Sequence, residues 1–359
     1  MEKLMLNRKV VVFGLLLLLL LMAPLFLSDF RLNLLGKYLT FAIVVLGLDL
    51  LWGYTGVLSL GHGVYFGLGA YAMGMYLKLE SARGSLPDFM QWSGIQKLPA
   101  FWLLFQNPIL AILLGILIPA LIAGLLGFLT FRNRINGVYF TILSQALAVI
   151  VVTLFIGKQE LTGGTNGLTG FTTIFGFPLS SPMTQTIIYL ITVLILAFSF
   201  LICKKLVSGR LGQVLIGIRD GENRLRFIGY DPSIYKTFIY AISAGFAGLA
   251  GMLFVLQVGI ISPVMMGIIP SVEMVLWVAL GGRGTLIGPV IGAILVNSAK
   301  TGFSESYPEI WTYFLGLLFV IVVVFLPNGI AGLWKKMKER GPFHGRNQPS
   351  NTPIKEHIS

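Results

Sequence analysis

Little in this chain can support enzyme or metal chemistry. Of its 359 residues one is cysteine, three are histidine and fourteen are Asp or Glu. A lone Cys203 excludes an internal disulfide and any cysteine-based metal site; at the end of an apolar run it reads as a small apolar filler. His62 lies in an apolar stretch and His344 and His357 near the C-terminus, so no cluster has metal-ligand spacing. The phosphate-binding pattern G-x-x-x-x-G-K-[ST] is missing, as is the G-x-S-x-G nucleophile elbow. Any energy for work must come from another subunit or from an ion gradient. Charge is scarce too: 11% of residues are charged, where a soluble domain carries about 25%. The net charge of +12 lies in loops. No polar surface interleaves aromatic and basic residues, which sets nucleic acid aside.

What the chain has instead is apolar length, with 56% hydrophobic residues and a mean hydropathy of +0.86. This predicts an all-α, polytopic membrane protein. The run Val10–Leu27 is too long for a signal core and lacks a small-x-small cleavage site, so it reads as an uncleaved first span. Further spans are predicted over Leu34–Trp52, the following glycine-rich stretch to Leu77, Pro108–Phe131, Val138–Ile156, Thr184–Cys203, Thr237–Val258 and Trp311–Leu326. Residues 268–297 add two short apolar segments separated by Gly281–Gly284. Residues 78–107 should lie outside, with an interfacial helix around Asp88–Phe105. Ten crossings place segments 1–9, 131–136, 204–236 and 335–359 on the cytoplasmic side. Those segments carry most of the Lys and Arg, as the positive-inside rule requires, so both termini are expected to be cytoplasmic. Three parts follow: a first span in 1–33, a main domain in 34–333 and a basic tail in 334–359, expected to be disordered beyond Gly341. Spans 2–5 and 7–10 share a similar layout, each with a glycine-interrupted element, which suggests two inverted-repeat-like halves.

The stretch Trp52–Tyr71 holds Gly53, Gly56, Gly61, Gly63, Gly67 and Gly69 together with Ser59, His62 and Tyr65. A span built only to cross lipid needs neither glycines nor polar groups. Polar groups at membrane depth face protein or a water-filled path. The stretch therefore reads as a partly broken helix lining a route for a small polar solute, joined by Thr141, Ser144 and Gln145 on the fifth span. Helix packing is the competing reading for Gly63 and Gly67, and the favoured one for Gly284, Gly288 and Gly292. Glu273 is the sharpest intramembrane charge, a pathway residue or a cap in the first turn of a short helix after Pro270. Asp49 reads as lying near the inner interface. The polar loop with Gly164, Thr165, Asn166 and Gly167 is either a flexible external gate or a plain tight-turn loop. Finally, Ser208–Pro232 mixes charge with an apolar face at Leu215, Ile218, Leu225, Phe227 and Ile228. A short cytoplasmic helix over Arg219–Gly229, with Asp220 and Glu222, would suit docking to a soluble partner or lie in the headgroups.

Three motifs resemble the permeases of ABC importers of the branched-chain amino acid/urea group: Gly53-Tyr-Thr-Gly-x-Leu-Ser-Leu-Gly-His-Gly63 with Gly67-x-Gly-Ala-Tyr71; Ile218-Arg-Asp-Gly-Glu-Asn with Gly229; and Val278-Ala-Leu-Gly-Gly-Arg-Gly-Thr-Leu-Ile-Gly-Pro289. Within that group Leu161-Thr-Gly-Gly-Thr-Asn-Gly-Leu-Thr-Gly170 and Pro308-Glu-Ile-Trp-Thr-Tyr-Phe-Leu-Gly316 are most similar to the urea permeases. The resemblance implies a non-enzymatic subunit in the inner membrane, without a cofactor of its own. Its partners would be a second related permease, two ATPase subunits that bind ATP, a periplasmic solute-binding protein and membrane lipids. Urea is the expected solute because the candidate polar set is mostly uncharged. A branched-chain amino acid permease is the alternative, and an ion-coupled secondary transporter working through Glu273 or Asp49 is the rival from another class.

Overall fold

A computed structural model of the protein describes residues 16–306 and isolated positions at 14, 313, 316–317, 320, 329–330 and 332. The start of the first predicted span, most of the span Trp311–Leu326 and the basic tail fall outside the described residues.

The described chain is helical nearly throughout. In order it forms α1 (Leu16–Leu25), α2 (Asp29–Asp49), α3 (His62–Ser81), α4 (Asp88–Trp92), α5 (Ala100–Leu103), α6 (Pro108–Arg132), α7 (Val138–Gly157), α8 (Gln159–Thr162), α9 (Pro182–Ser208), α10 (Arg210–Phe227), α11 (Pro232–Val258), α12 (Ile268–Gly281) and α13 (Ile287–Ser306). Strand content among the described residues is four two-residue pieces. β1 (Leu168–Thr169) pairs antiparallel with β4 (Ile260–Ile261), and β2 (Thr173–Ile174) with β3 (Phe177–Pro178). Among the described residues, five helices are long and apolar enough to cross a membrane: α2 with its continuation to Tyr54, α6, α7, α9 and α11. Shorter apolar helices, α1, α12 and most of α13, accompany them. This is the all-helical, polytopic membrane architecture read from composition. The predicted interfacial helix over 88–105 is instead two short helices and a 3₁₀ turn, because Pro87 and Pro99 each start a new element.

The bundle is organised around α11. Gly47 of α2 lies on Ser243 and Phe246, and Gly36 on Gln257, so α2 runs antiparallel to α11. Gly69 of α3 meets the backbone of Gly248, and Gly251 that of Phe66, at the crossing with α11. His62 at the start of α3 meets Ser243, and Gly74 further along meets Ile261, just past the end of α11, so α3 runs parallel to it. On a third side Gly115 of α6 packs on Met252 and Gly127 on Tyr240. Small residues at each crossing let the backbones approach where lipid supplies no hydrophobic drive between helices. Gly63 and Gly67 belong to this set: their free faces fill with Ser271, Met266 and Gly267. Gly288 and Gly292 pack in the same way against Gly281 and Trp277, closing α12 and α13 into a hairpin.

The glycine-rich stretch is not one helix. After Asp49 the chain turns through a π-helical segment at Leu50–Tyr54. Gly56 then takes a positive φ of 77°, residues 56–61 lose helical structure, and α3 begins at His62. The expected break is present, and it separates two buried helices.

The broken helix and its clamps as a candidate functional site

Ser59, His62 and Tyr65 are buried completely, packed into the α3–α11 crossing and not spaced along an open cavity. The His62 Nε2 lies 2.7 Å from the Ser243 hydroxyl. The Tyr65 and Tyr240 hydroxyls are 2.6 Å apart, with their rings edge-to-face. Ser59 Oγ accepts from the Gly61 amide at 3.3 Å. Just beyond, the Gly63 amide donates to Ser271 Oγ at 3.0 Å, and that hydroxyl donates to the Gly267 carbonyl at 2.9 Å. The nest is uncharged, and its one buried atom without a protein partner is His62 Nδ1.

Helix α7 holds the non-helical segment from the other side. Thr141 Oγ1 donates to the Leu58 carbonyl at 2.9 Å, and the Leu60 amide donates to Ser144 Oγ at 3.0 Å. Two backbone groups that the helix break leaves without helical partners are thereby satisfied. Gln145 is half-buried, and its side chain makes no hydrogen bond among the described residues. Ser243, Tyr240 and Ser271 are central here, and sequence reasoning passed over them. The signal was present in the i, i+3 spacing of Tyr240 and Ser243, which puts both on one face of α11.

The carboxylates play positional roles. Glu273 is not in the first turn of α12. It accepts two hydrogen bonds from Lys300 Nζ of α13, at 2.7 and 2.9 Å, so the first-turn cap does not describe it. Asp49 is fully buried and accepts the amides of Gly284 and Leu286 at 2.6 and 3.0 Å. It fastens the turn between α12 and α13 to the end of α2.

The docking segment requires a correction. Its helix begins at Arg210, not Arg219, and is broken at Gly221. Leu215 and Ile218, predicted to face a partner, are buried in the bundle itself. Leu225 is half-buried and packs on Gly217 across the break. Arg219 reaches inward to the Gly53 carbonyl at 2.9 Å. Glu222 accepts from Arg226 at 2.8 Å and from Lys236 of α11, whose Nζ also donates to Asn136. Burial raises the Glu222 pKa, but these two cations more than offset it and hold the carboxyl below its ordinary value. What remains exposed and apolar is Phe227 and Ile228, 92% and 72% accessible. The predicted left-handed exit is there: Gly229 has φ 93°, with Tyr230 N–H to Leu225 O and Gly229 N–H to Arg226 O closing a Schellman turn.

The loop predicted to be external is also held by specific contacts. Gly163, Gly164 and Gly167 take positive φ, Gly167 lies against the Ile261 carbonyl, and β1 pairs with β4. Lys78 donates to the Thr169 carbonyl and to Asp88, tying the loop to α3 and α4. Thr165 and Asn166 alone of the four predicted gate residues are exposed.

The described residues form an all-helical bundle with five strongly apolar helices and broken spans, consistent with a polytopic membrane permease. The chain belongs to the family of branched-chain amino acid transport system permease components, whose profile matches residues 30–323. Among curated proteins it is 28% identical to the high-affinity branched-chain amino acid transport system permease protein LivM of Escherichia coli, over 81% of this chain and 67% of that protein. LivM of Salmonella typhimurium is 27% identical over the same shares. A probable LivM of Methanocaldococcus jannaschii is 25% identical, over 80% and 89%. No solved structure matches the chain.

Proposed function

We propose that this chain is the membrane-spanning subunit of an ATP-driven importer of branched-chain amino acids in the cytoplasmic membrane, with both termini inside. The observation that carries the reading is the family match over nearly the whole described chain, joined to relatives named for that solute. It replaces urea, the first expectation from the motifs, as the leading solute. The uncharged nest of Ser59, His62, Tyr65, Tyr240 and Ser243 is what still favours urea, since a zwitterion calls for charged or helix-end partners at both poles. An ion-coupled mechanism has less support: Asp49 and Glu273, the carboxylates it would use, are bound to backbone amides and to Lys300.

ATP would be hydrolysed by two partner subunits, with a second related permease and a periplasmic binding protein completing the assembly. The exposed Phe227–Ile228 step, beside a rigidly capped helix end, supports an ATPase contact at that point. The test is uptake of labelled leucine and labelled urea into vesicles containing the reconstituted complex, with and without internal ATP. ATP-dependent leucine uptake is expected, uncompeted by urea. Urea uptake uncompeted by leucine would overturn the solute, and gradient-driven uptake without ATP would overturn the mechanism.

A further inference from the structure

The end of α2 leaves carbonyls without helical partners, as any helix C-terminus does. The Gly53 carbonyl is taken by a residue far away in sequence: Arg219 Nη1, at 2.9 Å. The stem of that arginine lies along Gly56, whose free face meets Arg219 Cγ at 3.2 Å. Its guanidinium also adjoins Gly284, 3.7 Å from where a Cβ would stand. Gly284 is the residue whose amide Asp49 holds, and Gly53 and Gly284 touch backbone to backbone. One cationic side chain of α10 thus sits where the end of α2, the non-helical segment 56–61 and the α12–α13 turn converge. A cation there complements the negative end of α2.

The rest of α10 suits transmission. Its first half is seated by Leu215 and Ile218, and Arg219 is the second residue before the break at Gly221. The second half is stapled to α11 through Glu222 and Lys236. A displacement entering at the exposed Phe227 end therefore meets α2 at Arg219 and α11 at Glu222.

We propose that Arg219 is the coupling residue of this permease, a positioning group that passes movement of α10 to the segment carrying Ser59 and to the α12–α13 turn. The inference rests on the importer reading above. Its test uses the complex purified through the permease, with Cys203→Ala and a Val57→Cys reporter, comparing Arg219 with Arg219→Ala and Arg219→Lys. With Arg219, ATP should change the rate of maleimide labelling at position 57. With Arg219→Ala that response should vanish and leucine uptake should fall about tenfold or more, while ATPase co-purification and ATP hydrolysis persist. Arg219→Lys, which keeps a donor for the Gly53 carbonyl, should recover part of both. Full uptake with an intact labelling response in Arg219→Ala overturns the inference alone. Loss of ATPase co-purification along with uptake also overturns it, since Arg219 would then be a docking contact. A complex with Arg219 present but no ATP-driven uptake overturns the importer reading and this inference together.

Discussion

Two alanine substitutions on α11, six residues apart, should move stability in opposite directions. A Cβ added at Gly251 would stand 1.8 Å from the Phe66 carbonyl oxygen and 2.9 Å from the Ala70 amide nitrogen. Both obstacles are backbone of α3, so no side chain can swing aside, and α3 would have to retreat by roughly 1.5 Å to reach ordinary contact. Overpacking of this kind costs about 1–3 kcal/mol, occasionally more, against about 1 kcal/mol gained from the better helix former. The retreat also pulls on the Tyr65–Tyr240 and His62–Ser243 hydrogen bonds, which span the same crossing. At Gly245 the added Cβ would meet Ile116 at 3.6 Å and Ala120 at 3.9 Å, ordinary contacts, so the propensity gain of up to about 1 kcal/mol should survive. The measurement is the thermal denaturation midpoint of each purified variant in detergent, followed by uptake in vesicles. Gly251→Ala should fall below the parent and lose transport, while Gly245→Ala should equal or exceed it. Equal midpoints for the two variants would mean that α3 and α11 do not cross this closely, and the account of the polar nest would fail with it.

Three further outcomes follow from the site. Phe227→Asp should abolish ATPase co-purification without lowering permease stability, because Phe227 is 92% exposed; Ile218→Asp, aimed at a buried position, should lower the yield of folded permease by introducing an unpaired charge costing about 3 kcal/mol or more. Glu273→Gln or Lys300→Met alone should destabilise the α12–α13 hairpin more than the double variant does, because each single change strands a half-buried partner; a double-mutant cycle on denaturation midpoints reads the difference, and strict additivity would rule the pairing out. Glu222 has its pKa depressed in the folded protein, so the stability it contributes is present above its unfolded value of 4.5 and is lost as pH falls through the lower folded value; Glu222→Gln should lower the denaturation midpoint at neutral pH and converge on the parent in acid, and a constant difference down to strong acid would refute this.

Long apolar spans were legible because their signal is additive. The predicted start of α6 at Pro108 and the predicted span of α7 agree with the structure to a residue at the compared ends, since Asn107 caps the one helix and Gly137, at φ 60°, begins the other. The break after Trp52 was legible too, because clustered glycines weaken a helix wherever they fall. The facing of α10 was not. Its amphipathic pattern says that one side is apolar, but Leu215 and Ile218 meet the permease while Phe227, beyond the break at Gly221, turns outward. Gly221 adopts φ −178° and ψ 73°, and no periodicity survives such a change of axis. The partners of Asp49 and Glu273 were hidden for another reason. Each lies far along the chain, at Gly284, Leu286 and Lys300, and a hydropathy scan carries no information about contact between distant segments.

Hydropathy and burial run in opposite directions in this bundle, and the reason bears on where function sits. The most apolar spans, α6, α9 and α7, are 22%, 39% and 17% buried within the protein, whereas the less apolar α2 and α11 are each 83% buried. A side chain facing lipid must be apolar, because no partner in the hydrocarbon satisfies a polar group. A side chain facing another helix is free to be small or polar, because a backbone or a hydroxyl can meet it. Glycine, serine and tyrosine therefore collect on α2, α3 and α11, which lowers their hydropathy and draws them inward. The same exchange leaves α3, with its three tyrosines and glycines at every few positions, outside the set of strongly apolar spans, although it carries His62 and Tyr65 of the candidate site. In a chain of this kind the weakest hydropathic signal marks the helices that have partners, and those partners are the groups through which one segment can move another.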